Sequence, residues 1–209
     1  MARKELLVKF HKESITTAAD RLFTEHGVEK TTMDDIAQEA QYSKATLYAY
    51  FKSKDDIFYS IVLKAMSLLH EQFQDILKNT ENVRETYFSI CTRLSTFCQE
   101  NPLYFHSMLE TIASDEESRA QIPILDEIYL VGETLNNDVE ILIRRGIEQN
   151  VFDGDLPFIS TGLLQWAAIS GIVSIAHRKS DYVFQKMAIH KEQFMHMGFQ
   201  MMFQAIAKD

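Results

Sequence analysis

The stretch from Thr31 to Asp55, TTMDDIAQEAQYSKATLYAYFKSKD, constrains this chain more than any other. It predicts two short helices at a sharp angle, with a third beginning. Thr32 is placed to cap the first: its hydroxyl can accept from the backbone N–H of Asp35, and Asp34 and Asp35 sit at the positive end of the dipole. Ile36, Ala37 and Ala40 give that helix its buried side. Ser43 is a second N-cap signal, opening SKATLYAYF, in which Leu47 and Phe51 fall four apart and face the core. Lys44, Ala45, Thr46, Tyr48 and Tyr50 are left on the outward side. One cation, two phenols, a methyl and a hydroxyl suit the phosphate oxygens and base edges of duplex DNA.

At these residues the chain resembles the helix-turn-helix of TetR-family transcriptional regulators. The matching string begins at ITTAADRLFTEHG (Ile15–Gly27) and continues through TTMDDIA, SKATLYAYF and KSKDDIF (Lys52–Phe58). The family usually shows a three-helix DNA-binding head, an all-helical effector domain and a homodimer. The resemblance therefore implies an all-α fold: a helix-turn-helix DNA-binding domain over residues 1–53 and a larger helical effector-binding and dimerisation domain over 54–209. It implies that Ser43, Thr46, Tyr48, Tyr50 and Lys54 hold phosphates, with Thr32 contributing from the neighbouring helix. Lys44 and Ala45 would lie deepest in the major groove, the first toward a base acceptor and the second against a thymine methyl. One departure stands out: the turn, usually Gly followed by an aliphatic residue, is Gln41-Tyr42. A non-Gly residue in a left-handed conformation there costs about 1 kcal/mol. Tyr42 also adds a phosphate donor that an aliphatic residue would not supply.

With 3 Pro and 7 Gly in 209 residues, turn makers are scarce and long helices are expected. The formal net charge of −9 argues at first sight against DNA binding. Its distribution softens the objection. Residues 1–60 hold 9 Lys/Arg and 10 Asp/Glu, whereas residues 61–209 hold 12 and 20. The head is near neutral and the body acidic, so binding would rest on locally placed cations. Cys91 and Cys98, seven apart in an expected helix, lie ~10 Å from each other, too far for a disulfide. Buried reduced thiols in a cytoplasmic protein are expected. The charged N-terminus MARKELLVKFHKES carries no secretory signal.

Periodicity places a first helix over about Lys4–His26, with Leu7, Phe10, Ile15, Ala18, Ala19, Leu22 and Phe23 on its apolar side and Gly27 as its stop. Arg3 and Lys4 are either an arm to DNA or a frayed start. A fourth helix runs from Lys54, capped by Ser53, to Asn79 through Ile57, Phe58, Ile61, Val62, Ala65, Leu68 and Leu69. It links head and body. A helix over Glu81–Gln99 ends at Asn101-Pro102, and Pro102 opens the next. Ser114–Pro123 reads as a connection, Leu125–Gln149 as a long amphipathic helix and Gln149–Pro157 as a loop. Pro157–Ala176 has no charged residue and meets the minimum length of a membrane span, but Ser160, Thr161, Gln165, Ser170 and Ser174 interrupt it. A helix buried on all sides is expected instead, with no membrane partner. The last helix, about His190–Ala207, carries the stripe Phe194, Met197, Gly198, Met201, Met202 and Ala205. Together these two helices hold more apolar surface than a monomer needs, which predicts a subunit interface. The resemblance implies a four-helix bundle there with the symmetry mates.

An effector site is less visible. Aromatic, sulfur-bearing and polar residues concentrate in Tyr87, Phe88, Cys91, Tyr104, Phe105, His106, Met108, Glu110 and Trp166. Of these, Tyr87, Cys91, Phe105, His106, Met108 and Trp166 are the candidate lining of an apolar pocket, with ordinary core as the alternative. Trp166 stands out because its N–H needs a partner in an uncharged helix. No catalytic or cofactor motif is present. The histidines make no metal spacing: His190 and His196 fall on different helix faces, and Asp115, Glu116 and Glu117 are a solvated run. The combined expectation is a ligand-responsive regulator, most simply a repressor. It would bind an inverted-repeat operator as a homodimer and be released by a small apolar or amphipathic effector. The alternative is a DNA-binding architectural or protein-interaction module without an effector.

Overall fold

A computed structural model describes residues 2–110 and 122–208. Among them the chain is all-α, with no strand beyond an isolated bridge between Phe152 and Ala207. The helices are α1 (Ala2–His26), α2 (Met33–Glu39), α3 (Lys44–Tyr50), α4 (Lys54–Asn79), α5 (Val83–Glu100), α6 (Pro102–Glu110), α7 (Pro123–Glu148), α8 (Phe158–Arg178), α9 (Ser180–Met187) and α10 (Lys191–Gln204). The acidic part of the expected connection, Ser114–Gln121, lies outside the described residues, as does the side chain of Glu110; Pro123 itself opens α7. Helix α9, between the two apolar helices, has no counterpart in the periodicity reading.

The chain forms two compact units. The first comprises residues 2–65, 107–110 and 122–129; the second comprises 66–106 and 130–208. In the first unit α1, α2 and α3 pack on one another around Ile15, Ala19, Phe23, Ile36, Leu47 and Phe51. Gly27, at φ +83°, ends α1, because the left-handed turn there carries no Cβ penalty. The Thr31 hydroxyl donates to the Gly27 carbonyl at 2.9 Å and closes the loop into α2.

Periodicity misjudges the start of α1. Leu7 and Phe10, assigned to its apolar side, are exposed, Phe10 at 62%. The helix projects its first turns past α2 and α3, each only seven residues long, so the first fully buried residue is Ile15. Leu68 on α4 is exposed for a different reason, rotation: Met66 and Leu69 take the buried face.

In the second unit α8 packs against α5 and α10, and α9 bridges α8 and α10. Arg145 on α7 donates to the carbonyls of Leu77 (2.9 Å) and Thr80 (2.8 Å), satisfying acceptors that the end of α4 leaves open. Asp138, also on α7, is fully buried; it accepts from Gln74 and pairs with His70 Nδ1 at 2.7 Å, both on α4. The expectation of a helix buried on all sides fails for α8: only 28% of its apolar window is buried. Its inner face is Thr161, Gln165, Ile169, Ser170, Val173 and Ala176, while Ile159 and Leu164 are each 71% exposed. By length and composition α8 could cross a membrane. A face of hydroxyls and an amide packed on α5 and α10 is instead what a helix of a folded domain presents. On α10 the core face lies beside the stripe read from the sequence. Met195, Phe199, Phe203 and Ile206 form the core face, leaving Met197 and Met201 exposed, the latter at 61%.

Candidate nucleic-acid interface and internal cavity

The head is fixed by short-range hydrogen bonds that its sequence specifies. Asp35 N–H donates to Thr32 Oγ1 (3.2 Å), and Thr32 N–H donates back to Asp35 Oδ2 (2.9 Å). These bonds complete a capping box at the start of α2. The Thr32 hydroxyl also donates to that carboxylate at 2.7 Å. The two bonds from Thr32 hold the Asp35 carboxyl below the usual carboxylate range. Gln41 takes the left-handed conformation (φ +58°), and Tyr42 N–H reaches back to the Ala37 carbonyl at 2.9 Å. The chain therefore turns tightly without the glycine that usually sits there. Ser43 then caps α3 by accepting from Thr46 N–H at 3.0 Å.

This folding leaves one face of α3 open. Leu47 is buried, while Lys44, Ala45, Tyr48 and Ala49 are exposed. Ala49 had not been singled out, although its place between Tyr48 and Tyr50 marks it. The polar candidates differ in how free they are. Lys44 Nζ lies 2.7 Å from Asp34, and that hydrogen bond raises the lysine pKa. Thr46 shares its hydroxyl with Ser43 at 2.8 Å. Lys54 Nζ donates to the Val28 carbonyl at 2.6 Å, so it ties the α1–α2 loop to the start of α4 rather than standing free. Tyr42 and Tyr50 are half-buried against His11 of α1, a residue that sequence reasoning missed. Nothing local in the sequence marks it, because its partners lie more than thirty residues away.

The second unit encloses an apolar cavity of about 30 Å³, about the space one water occupies in the liquid. Of the six candidate effector residues, Tyr87, Cys91 and Trp166 line it. Phe105, His106 and Met108 do not. Phe105 packs on Phe97 and on His106, and Met108 lies in the first unit beside Phe58 and Leu125. Phe73, Leu142, Phe152 and Gln165 supply other wall positions. The polar atoms at the wall are turned onto one another: Tyr87 Oη donates to Gln165 Oε1 (2.8 Å), and Gln165 Nε2 donates to the Met202 carbonyl (2.9 Å). Burial pushes the Cys91 thiol and the Tyr87 phenol well above their ordinary values, so both stay neutral. Among the described residues, no cluster of three His, Cys, Asp or Glu could hold a metal ion.

Residues 15–61, the segment with this turn geometry, match the model of the bacterial regulatory proteins of the tetR family. Over these residues the chain is similar to the TetR family. An uncharacterised HTH-type transcriptional regulator of Haemophilus influenzae is 30% identical over 90 residues, 43% of this chain and 48% of that one. The HTH-type transcriptional regulator HbdR of an Aromatoleum species is 33% identical over 92 residues, 44% of this chain and 39% of that one. The chain thus spans under half the length of the curated relatives it matches. At the level of fold, the transcriptional regulator FadR from Bacillus subtilis, solved in complex with stearoyl-CoA, superposes with a TM-score of 0.71. That likeness covers 93% of this chain and 98% of the other at 15% identity. Both curated relatives are named as HTH-type transcriptional regulators.

In the second unit, α8 and α10 both carry exposed apolar residues. Ile159, Leu163, Leu164 and Ile175 on the first, with Met197 and Met201 on the second, are all exposed. Met197 and Met201, members of the stripe read as surplus to a monomer, lie outward, and the core uses Met195, Phe199 and Phe203 beside them.

Proposed function

We propose that this regulator is a one-component, ligand-responsive repressor. Residues 1–53 bind DNA, 54–209 bind the effector and dimerise, and the protein acts in the cytoplasm. Two copies joined through α8 and α10 would offer two α3 helices ~34 Å apart to an inverted-repeat operator. The observation that carries this reading is the open face of α3, capped at its start and backed by a buried Leu47. Lys44 would exchange its solvent-exposed partner Asp34 for a base acceptor. Tyr48, Ser43 and Thr46 would grip phosphates.

The effector reading rests on the cavity. At about 30 Å³ it is far smaller than the roughly 300–1,000 Å³ of ligand pockets, so a ligand must open it. Phe73 on α4 is one of its walls, and α4 begins at Lys54 beside the recognition helix. A ligand that displaces this wall would move the helix leading to the head. Release of DNA follows only if effector affinity differs between the two positions. With neutral walls, the buried part of the effector must be uncharged; an acyl chain qualifies, as in the FadR complex with stearoyl-CoA, with any charged group kept outside.

The test is gel shift on the DNA upstream of the protein's own gene. Selective binding at moderate salt, weakened by Lys44→Ala and Tyr48→Ala, supports the proposal; its absence contradicts it. The closed state of the cavity favours a second reading, a DNA-binding module without an effector. A small molecule that both raises the melting temperature and releases DNA separates the two.

A further inference from the structure

His11 lies on α1, outside the helix-turn-helix proper, yet it touches the turn before α3 and the last residue of α3. Its Nδ1 is 2.7 Å from the Tyr42 hydroxyl, in the turn that precedes α3. Its ring stands 5.4 Å from that of Tyr50, the last residue of α3, and 5.7 Å from that of Phe10. A phenol is a good donor and an imidazole nitrogen a good acceptor, so the tautomer this contact supports is the one in which Tyr42 O–H donates to Nδ1. That bond places the ring proton on Nε2. Among the described residues Nε2 meets no hydrogen-bond partner, and it is not sealed from solvent. The pair therefore offers one free donor, and it belongs to His11 rather than to Tyr42.

We infer that His11 is a DNA-backbone contact: its Nε2–H donates to a phosphate oxygen at the edge of the groove that α3 enters. Tyr42, whose own proton is taken, is a positioning residue that fixes the tautomer and the ring. The inference rests on the DNA-binding reading of α3 and adds to it. A duplex accepted by Lys44, Ala45 and Tyr48 runs its backbone past the margins of that face, where Tyr42 and Tyr50 hold the imidazole. Phosphate contacts of this kind set register and carry no sequence preference.

Fluorescence anisotropy with the operator tests it, using His11→Gln, whose amide nitrogen reaches about as far as Nε2, and His11→Asn, which reaches only to Nδ1. His11→Asn should bind about tenfold more weakly per copy, about a hundredfold for two copies on an inverted repeat, the scale of a hydrogen bond to a charged group, and His11→Gln within about threefold of wild type. The salt dependence should keep its slope, since a neutral donor displaces no counterion. Melting temperatures of both variants report folding separately. Tyr42→Phe should weaken binding in the wild type but add nothing in the His11→Asn background. Equal affinity of His11→Asn and wild type overturns the inference, as does a Tyr42→Phe loss of the same size in both backgrounds. If the wild type itself shows no selective binding, the reading of α3 falls and this contact with it.

Discussion

Gly146 sits in α7 where the chain folds back after the helix. Val151 N–H and Phe152 N–H both donate to its carbonyl, at 2.8 and 3.0 Å. This return lays the Phe152 ring directly over the glycine. A Cβ there would lie 2.0 Å from Cδ2, 2.4 Å from Cε2 and 2.7 Å from Cγ of that ring. Ordinary carbon contacts are about 3.5–4 Å, so the ring must move by more than an ångström. It has nowhere to go: Phe152 is 1% exposed, edge-on to Phe203 at 5.4 Å, and forms part of the cavity wall. Alanine gains about 1 kcal/mol over glycine inside a helix. Overpacking costs ~1–3 kcal/mol, and partial exposure of a phenylalanine adds about 1 kcal/mol more. Gly146→Ala should therefore destabilise the protein by about 2 kcal/mol net. In a Phe152→Ala background the obstacle is gone and only the helix preference remains, so the same substitution should stabilise by about 1 kcal/mol. Urea unfolding of the four proteins in one buffer gives both numbers and their coupling. Stabilisation by Gly146→Ala in the wild-type background, or equal effects in both, would refute the reasoning.

Other expectations are simpler. Thr32→Ala removes the cap of α2 and should cost about 1 kcal/mol of stability, with Thr32→Ser close to neutral in the same melts. Burial raises the Asp138 pKa against the opposing hydrogen bonds of His70 and Gln74. The folded state therefore binds more protons than the unfolded one between the ordinary aspartate value and the raised one. This contribution is present at low pH and is lost as pH rises through that window. Urea midpoints from about pH 7 to about pH 4 should show wild type gaining on Asp138→Asn upon acidification, with a constant difference above the window. Met201→Glu and Leu164→Glu, at positions 61% and 71% exposed, should leave the melting temperature of a monomer unchanged but shift sedimentation from dimer to monomer. Burial pushes the Cys98 thiol up to about 11 and the Cys91 thiol further. A thiol reagent at about pH 8 should thus react with neither until urea unfolds the chain.

What could be read in advance divides along the range of the interactions. Thr32, Ser43 and the strained turn at Gln41 were legible because caps and turns are made by residues three to five apart. The start of α4 at Lys54 followed from Ser53 and the acidic first turn. Periodicity, by contrast, marks apolar faces without saying which partner covers them. Leu7 and Phe10 lie beyond the reach of the short α2 and α3, and α10 has two apolar faces of which the sequence pattern favoured the outer one. Phe152 was lost in a loop rich in turn formers, although it fills the core by folding back on Gly146. Asp138 read as one more charge on an amphipathic helix, because its partners His70 and Gln74 are over sixty residues away. Tyr87, Cys91 and Trp166 reached the cavity while Phe105, His106 and Met108 did not, since composition shows which residues suit a pocket but not which helix turns toward it.

The central claim is that the open face of Ser43–Tyr50 enters duplex DNA once from each of two copies. Hydroxyl-radical footprinting on the DNA upstream of the gene tests it most directly. The prediction is two protected patches on one face of the duplex, centred about one helical turn or a whole multiple apart, and both lost in Lys44→Ala. A single protected patch, or protection that survives Lys44→Ala and Tyr48→Ala together, would contradict it.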